Sequence, residues 1–449
     1  MKTTALAYLE LDRWIEEHFD QQVQFLQSLV QIPTDTPPGN NTPHALKTVE
    51  LLSKMGLTAE QYEVPPAQVQ SHGLQTITNL IVRREFSAKG HQAAPVKQLK
   101  SKNGLTIALN AHGDVVPPGE GWTHNPYGGE IQDGFMYGRA SAVSKSDFST
   151  FTFALRALQN LCEKIASQEG DFSTLEPAKG QLELHFTYDE EFGGEMGPGW
   201  LLSHQLTQPD LMIAAGFSYE VVNAHNGCLQ LEVTLNGKMA HAAIPESGVD
   251  ALQASVHVLQ DLYALNDTYK STMSQVKGIK HPYLNVGQIS GGTNTNVIPG
   301  RVTFKLDRRM IPEENSSEVE SAIRKTILHS IQAYNASKPQ QAPVELEIKR
   351  ILLAESMKPL EGQKPLIQAL QTHASSIFET DIAVVGTPLY TDVRLYAASG
   401  VPGVIYGAGP KTVLESHAKR ADERLKLDDL KRATRVVART LYDLLSKRA

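Results

Sequence analysis

Three short segments carry residue types that can do chemistry if the fold brings them together. Ala111-His112-Gly113-Asp114-Val115-Val116-Pro117 places a His and an Asp two residues apart. On extended backbone, side chains two apart point the same way, so one can hold a metal ion while the other orients it from behind. Tyr188-Asp189-Glu190-Glu191-Phe192-Gly193-Gly194 sets carboxylates in succession, which repel one another unless a cation or proton is shared among them. Adjacent side chains face different ways, letting one Glu ligate while its neighbour handles protons. The paired glycines suit close backbone approach. The third segment, Tyr406-Gly407-Ala408-Gly409-Pro410, is followed by Glu415-Ser416-His417 and Asp422-Glu423. Singly, the first also reads as a strand-end turn and the second as a solvated acidic loop. In this order and together they form a specific combination.

The elements that must position them alternate between strand and helix. Apolar spacings of three and four predict helix over 6–30, stopping at Pro33, a short helix over 48–55, and a helix over 145–164 marked by Phe148, Phe151, Leu155, Leu158 and Leu161. Asn79 to Arg83, Leu105 to Ala111 and Leu182 to Thr187 read as buried strands, with a polar, Lys-rich surface excursion over 87–103. Strands alternating with helices predict an α/β fold with a mostly parallel sheet and helices on both faces. His112 then lies at the carboxyl end of a strand, where open α/β sheets bind ligands. From Cys228 the pattern changes: alternation over 228–235, a helix over 249–265, strands over 284–289 and 302–306, a helix over 317–334 and a strand over 344–348. That β-α-β-β-α-β order is ferredoxin-like. After Ile351 the first pattern resumes, with a helix over 365–378, a strand over 401–406 and a terminal helix over 428–446. The expected organisation is a discontinuous catalytic domain, 1–225 and 349–449, interrupted by a small α/β domain, 226–348.

Composition narrows the class. The 449 residues suit two or three domains at roughly 150 each. Lys and Arg total 42 against 49 Asp and Glu, a net charge of −7 that offers no basic field for nucleic acid or an anionic membrane. Cys162 and Cys228 are too few and too far apart for a disulfide framework or a thiolate zinc module. No stretch approaches the ~18 apolar residues of a membrane span, and 1–13 lacks the charged head and apolar middle of a secretory signal. The expected compartment is the cytoplasm.

The chain resembles the zinc-dependent metallopeptidases that include aminoacylase, acetylornithine deacetylase, succinyl-diaminopimelate desuccinylase and glutamate carboxypeptidase. The resemblance spans nearly the whole sequence. It rests on His112 to Pro117, Trp122 with Asn125-Pro126-Tyr127, Asp133-Gly134 through Tyr137-Gly138-Arg139, Asp189-Glu190-Glu191 with Gly193-Gly194, Gly237 to His241, Gly291-Gly292 with Asn296 to Pro299, Asp307-Arg308-Arg309, Thr391-Asp392, and His417 with Glu423. It implies a two-metal catalytic domain and an inserted lid that dimerises. Position by position, it implies that His112, Glu191 and His417 are metal ligands and that Asp114 orients His112. Glu190 matches the general base, His241 the lid histidine that polarises the scissile carbonyl, and Asn296 and Arg309 the groups that grip a substrate carboxylate. Since side chains alternate along a strand, only one of Arg308 and Arg309 can face a substrate. The implied activity is amide hydrolysis of an N-acyl amino acid or dipeptide-like compound by metal-activated water, with zinc, manganese or cobalt as the ion.

Two positions depart from that pattern. Where the family has an Asp bridging both metals, this chain has Val143, and where it has a later Glu or Asp, this chain has Gly216. Neither residue can ligate a metal. Three readings follow: one ion held by His112, Glu191 and His417; displaced carboxylates, Asp147 and Glu220, each four residues beyond a lost ligand; or a non-catalytic family member that uses the cleft as a binding module. Against the second, a helical turn of about 5.4 Å is large beside ligand tolerances of about 0.2 Å.

Overall fold

The computed structural model describes residues 2–168 and 170–446. They form two compact units, one of Met1–Asn223, Pro359–Val384 and Thr391–Ala449, the other of Ala224–Lys358 and Val385–Tyr390. The first unit is built on the expected mostly parallel sheet. Leu105–His112 lies parallel to Gly180–Thr187 on one side and to Leu211–Ala214 on the other, and Gly403–Ile405 continues in parallel beside Leu211–Ala214. Thr78–Ser87 and then Ala59–Glu63 extend it antiparallel beyond Gly180–Thr187. Every side chain of Gly180–Thr187 is buried. Because alternate residues face opposite sides, both faces of the sheet are covered. Four parallel strands therefore end along one edge, and each of the three segments singled out in the sequence leaves from that edge.

Helix Lys145–Ala166 packs on this sheet and against Leu427–Ser446, Lys2–Glu17 and Phe19–Val30. Its apolar stripe follows the predicted spacing, but helices crowd it so closely that Ser146, Asp147, Ser149 and Thr150 are buried as well. The helix expected over 6–30 is two helices, Lys2–Glu17 and Phe19–Val30. The break falls at His18, whose ring bonds the Trp14 carbonyl at 2.8 Å while its backbone leaves helical geometry. Both helices keep the same apolar period, so spacing alone does not reveal the break. The 87–103 excursion includes a short strand, Gly90–Ala93, folded back on Thr78–Ser87.

The second unit is a four-stranded antiparallel sheet in the order Tyr283–Gly291, Arg301–Met310, Gly227–Asn236, Glu345–Ala354, with helices Ala251–Thr268 and Ser316–Ala336. This is the ferredoxin-like arrangement. Asp250 and Asn315 cap the helices, each accepting two backbone N–H bonds in the first turn. Leu229, Leu231, Val233 and Leu235 meet Val302, Phe304 and Leu306 in its core. The last strand runs past Ile348 to Ala354. Its alternation breaks at Lys349-Arg350, where Ile351 is an extra, unpaired residue between Arg350 and Leu352, opposite the Gln230–Leu231 step of the partner strand.

Candidate functional site

The first strand end places His112 and Asp114. Asp114 is fully buried, and its two carboxylate oxygens accept the backbone N–H groups of Glu190 and Glu191 at 3.2 and 3.0 Å. One carboxylate thus pins the turn after Gly180–Thr187 to the end of Leu105–His112. His112 Nδ1 lies 3.0 Å from the Asp114 carbonyl and 3.4 Å from its carboxylate, and Nε2 lies 3.8 Å from Glu190 Oε2. Burial opposes a proton on His112, but the charges of Glu190, Asp114 and Glu191 outweigh it and raise the imidazole to about 10. Glu190 is pushed up by burial first, against the pull of His112. Its side chain keeps 12% exposure. His112, Asp114, Glu190 and Glu191 are therefore gathered at one sheet edge.

The expected metal donors are not gathered in the same way. Among the described residues, no three His, Cys, Asp or Glu side chains are arranged to hold an ion. Glu191 instead bonds the ammonium of Lys419 at 2.7 Å. His417 sits in left-handed backbone at φ 54°, with Nδ1 at 3.2 Å from the Ala421 carbonyl. At Gly216, a Cβ would collide with Ile405 Cγ2, so no side chain fits there unless Ile405 moves. The donor set present does not fit the family's metal pair.

Neither compensating carboxylate restores it. Asp147 is fully buried and turns its oxygens to the backbone, accepting from Ala408 N at 2.7 Å and Gly216 N at 3.2 Å. It joins the ends of Leu211–Ala214 and Gly403–Ile405, which is structural work. Burial raises its carboxyl to about 7, despite those two bonds. Glu220 opens strand Glu220–His225 and is half-buried; burial raises it too. A Cβ on Gly407 would strike both oxygens of Asp147, although the backbone there needs no left-handed φ. Gly407→Ala is expected to cost about 1–3 kcal/mol by overpacking, read from the urea midpoint.

The second unit carries the remaining candidates. His241, in the short strand Ala240–His241, is exposed, and its Nδ1 accepts from Ala243 N, which leaves the proton on Nε2. Asn296 is exposed, and its carbonyl accepts from Ala242 N. Arg308 is buried and held by Glu314 at 2.6 Å, whereas Arg309 is half-buried beside Asp307 at 2.7 Å and over the Tyr390 ring. Of the two arginines, Arg309 is the one still open to solvent.

Sequence reasoning missed three charged groups of the first unit. Lys419 carried only one signal, its place two residues after His417. Lys145 is buried, donates to the Ile32 carbonyl at 2.8 Å, and is lowered to about 7 by burial. Arg139 pairs with buried Glu423 at 2.6 Å, tying the segment before Val143 to the turn that carries His417 and Lys419.

A family profile described as "Peptidase family M20/M25/M40" matches residues 108–443. An uncharacterized metallohydrolase of Methanococcus maripaludis is 22% identical over 442 residues, covering 92% of this chain and 96% of that protein. The succinyl-diaminopimelate desuccinylase of Psychrobacter arcticus is 25% identical over 378 residues, covering 80% and 83%. A solved dipeptidase from Saccharomyces cerevisiae matches with a TM-score of 0.73 at 14% identity, covering 98% of this chain and 99% of that one. At that identity the likeness is one of fold.

Proposed function

Because the chain belongs to peptidase family M20/M25/M40, the metallohydrolases of amide and peptide bonds, we propose that it cleaves an amide bond in a small carboxylate-bearing substrate, an N-acyl amino acid or a dipeptide-like compound. One observation carries this reading: Glu190 is held by its own backbone N–H on Asp114, with its side chain still 12% exposed and 3.8 Å from His112 Nε2. In the proposed reaction Glu190 takes a proton from the attacking water as the C–O bond forms. It returns that proton to the amine nitrogen as the C–N bond breaks, giving a carboxylic acid and an amine. Asp114 holds both His112 and Glu190 in place. His241 is assigned to the scissile carbonyl, supported by its exposed Nε2–H. Asn296 and Arg309 are assigned to the substrate carboxylate, supported by the exposure of the first and the free face of the second.

The second unit is read as a lid that also forms a homodimer. Leu252, Val256 and Tyr263 are exposed at helical spacing along Ala251–Thr268, an apolar stripe suited to a second copy. No helix among the described residues is long and apolar enough to cross a membrane. We keep the cytoplasm as the proposed compartment.

A second reading, a binding module without turnover, is favoured by the unassembled metal donors. One experiment separates the two. The purified protein is incubated with a panel of N-acyl amino acids and dipeptides, with amine release and calorimetric binding measured together. Release from any member supports the hydrolase; binding throughout the panel with no release supports the module.

A further inference from the structure

We propose that the ammonium of Lys419 takes the electrostatic place of a divalent ion in this cleft. The proposal goes beyond the hydrolase reading and holds whether the cleft turns substrate over or only binds it. Its first support is position. Lys419 Nζ lies 2.7 Å from Glu191 Oε2, bonding the carboxylate that the resemblance assigns to a metal. Glu190 and Asp114 also act on it by charge. The second support is subtraction. Val143 and Gly216 remove two carboxylates from the family's donor set, and the Ile405 side chain fills the space at Gly216. With two of the set's three carboxylates gone, a doubly charged ion has lost most of the negative charge that would hold it, and a singly charged ammonium matches Glu191.

The third support is the turn that delivers the lysine. His417, Lys419 and Asp422 all have left-handed backbone, with φ 54°, 62° and 55°. Residues with a Cβ adopt this backbone only at an energetic cost. The turn is held against that cost from both sides. Asp422 accepts from Thr123 N at 2.8 Å and His124 N at 3.1 Å, and Arg139 binds Glu423. The strained backbone at Lys419 carries its side chain over Glu191. The Lys419 side chain is 63% exposed and Glu191 only 9%, so the ammonium covers the Glu191 carboxylate from the solvent side.

An ordinary surface ion pair with the same distance adds little stability and has no bearing on metal binding, which makes metal binding the decisive readout. Metal content of the purified full chain is measured by mass spectrometry. Zn2+ and Mn2+ are then titrated calorimetrically into the wild type, Lys419→Met and Lys419→Arg, and thermal midpoints are recorded with and without chelator. The wild type is expected to hold well under one ion per chain, with a midpoint that chelator leaves alone. Lys419→Met is expected to bind Zn2+ about tenfold more tightly than the wild type, about 1.4 kcal/mol, because Glu191 is freed, while Lys419→Arg behaves as the wild type. A tightly held ion in the wild type, whose removal lowers the midpoint, overturns the proposal. So does a Lys419→Met variant with no gain in affinity. If Lys419→Met does not fold, Lys419→Gln serves in its place and the wild-type measurements still decide.

Discussion

Glu190→Gln is expected to lower turnover of the best amide substrate by roughly 10²–10⁴-fold, the range typical for removing a general base. The change keeps the size of the side chain but leaves it unable to accept a proton from water. The fold should be indifferent to it. Glu190 is positioned through its backbone N–H on Asp114, which the substitution does not touch, and its carboxylate contributes no buried hydrogen bond to the sheet edge. The expected signature is a fall in kcat with circular dichroism and urea midpoint retained. Near-normal kcat would remove Glu190 from the proton path and leave the hydrolase assignment without its central residue.

Asp147→Ala is expected to be strongly destabilising, costing about 2–5 kcal/mol by urea unfolding. It strips the partner from two buried amides, Ala408 N and Gly216 N, each worth about 1–3 kcal/mol when left unsatisfied. The same residue sets a pH dependence. Its folded carboxyl is raised by burial to about 7, above the ordinary Asp range near 3.9 of the unfolded chain. Between those values the folded state holds a proton that the unfolded state has lost. Its contribution therefore favours folding at the acid end and weakens as pH rises from about 4 through about 7. Asp147→Asn should remove that slope, though its amide can satisfy only one of the two N–H groups. An unchanged slope in Asp147→Asn would show that another group carries it.

Much of the first unit was legible because its signals are local. Buried strands read as apolar runs, and strand ends are marked by Gly113, Gly193 and Gly407. The mostly parallel sheet, the ferredoxin-like insertion and the family itself followed from element order and motif order. What escaped were features that leave no trace in spacing. The break at His18 preserves the helical period on both sides. The continuation of Glu345–Ala354 past Lys349-Arg350 depends on a bulge at Ile351 within that strand. A helix period likewise tells which face Asp147 occupies, but not that its oxygens end on two backbone amides from other strands.

The division between sequence and tertiary structure is clearest at the cleft. Residue identity alone determined that Val143 and Gly216 cannot ligate a metal, because a side chain without a donor atom has none in any fold. It also determined the neighbours within each segment: His112 beside Asp114, and Glu190 beside Glu191. Only the tertiary structure decided which charge meets Glu191. Lys419 is 228 residues away in sequence, and reaches it because the turn carrying it leaves the same sheet edge and is bent back by left-handed backbone and the Arg139–Glu423 pair. An ion pair of that kind has no period and no motif. It exists only where parallel strands, each started by a separate crossover, end side by side.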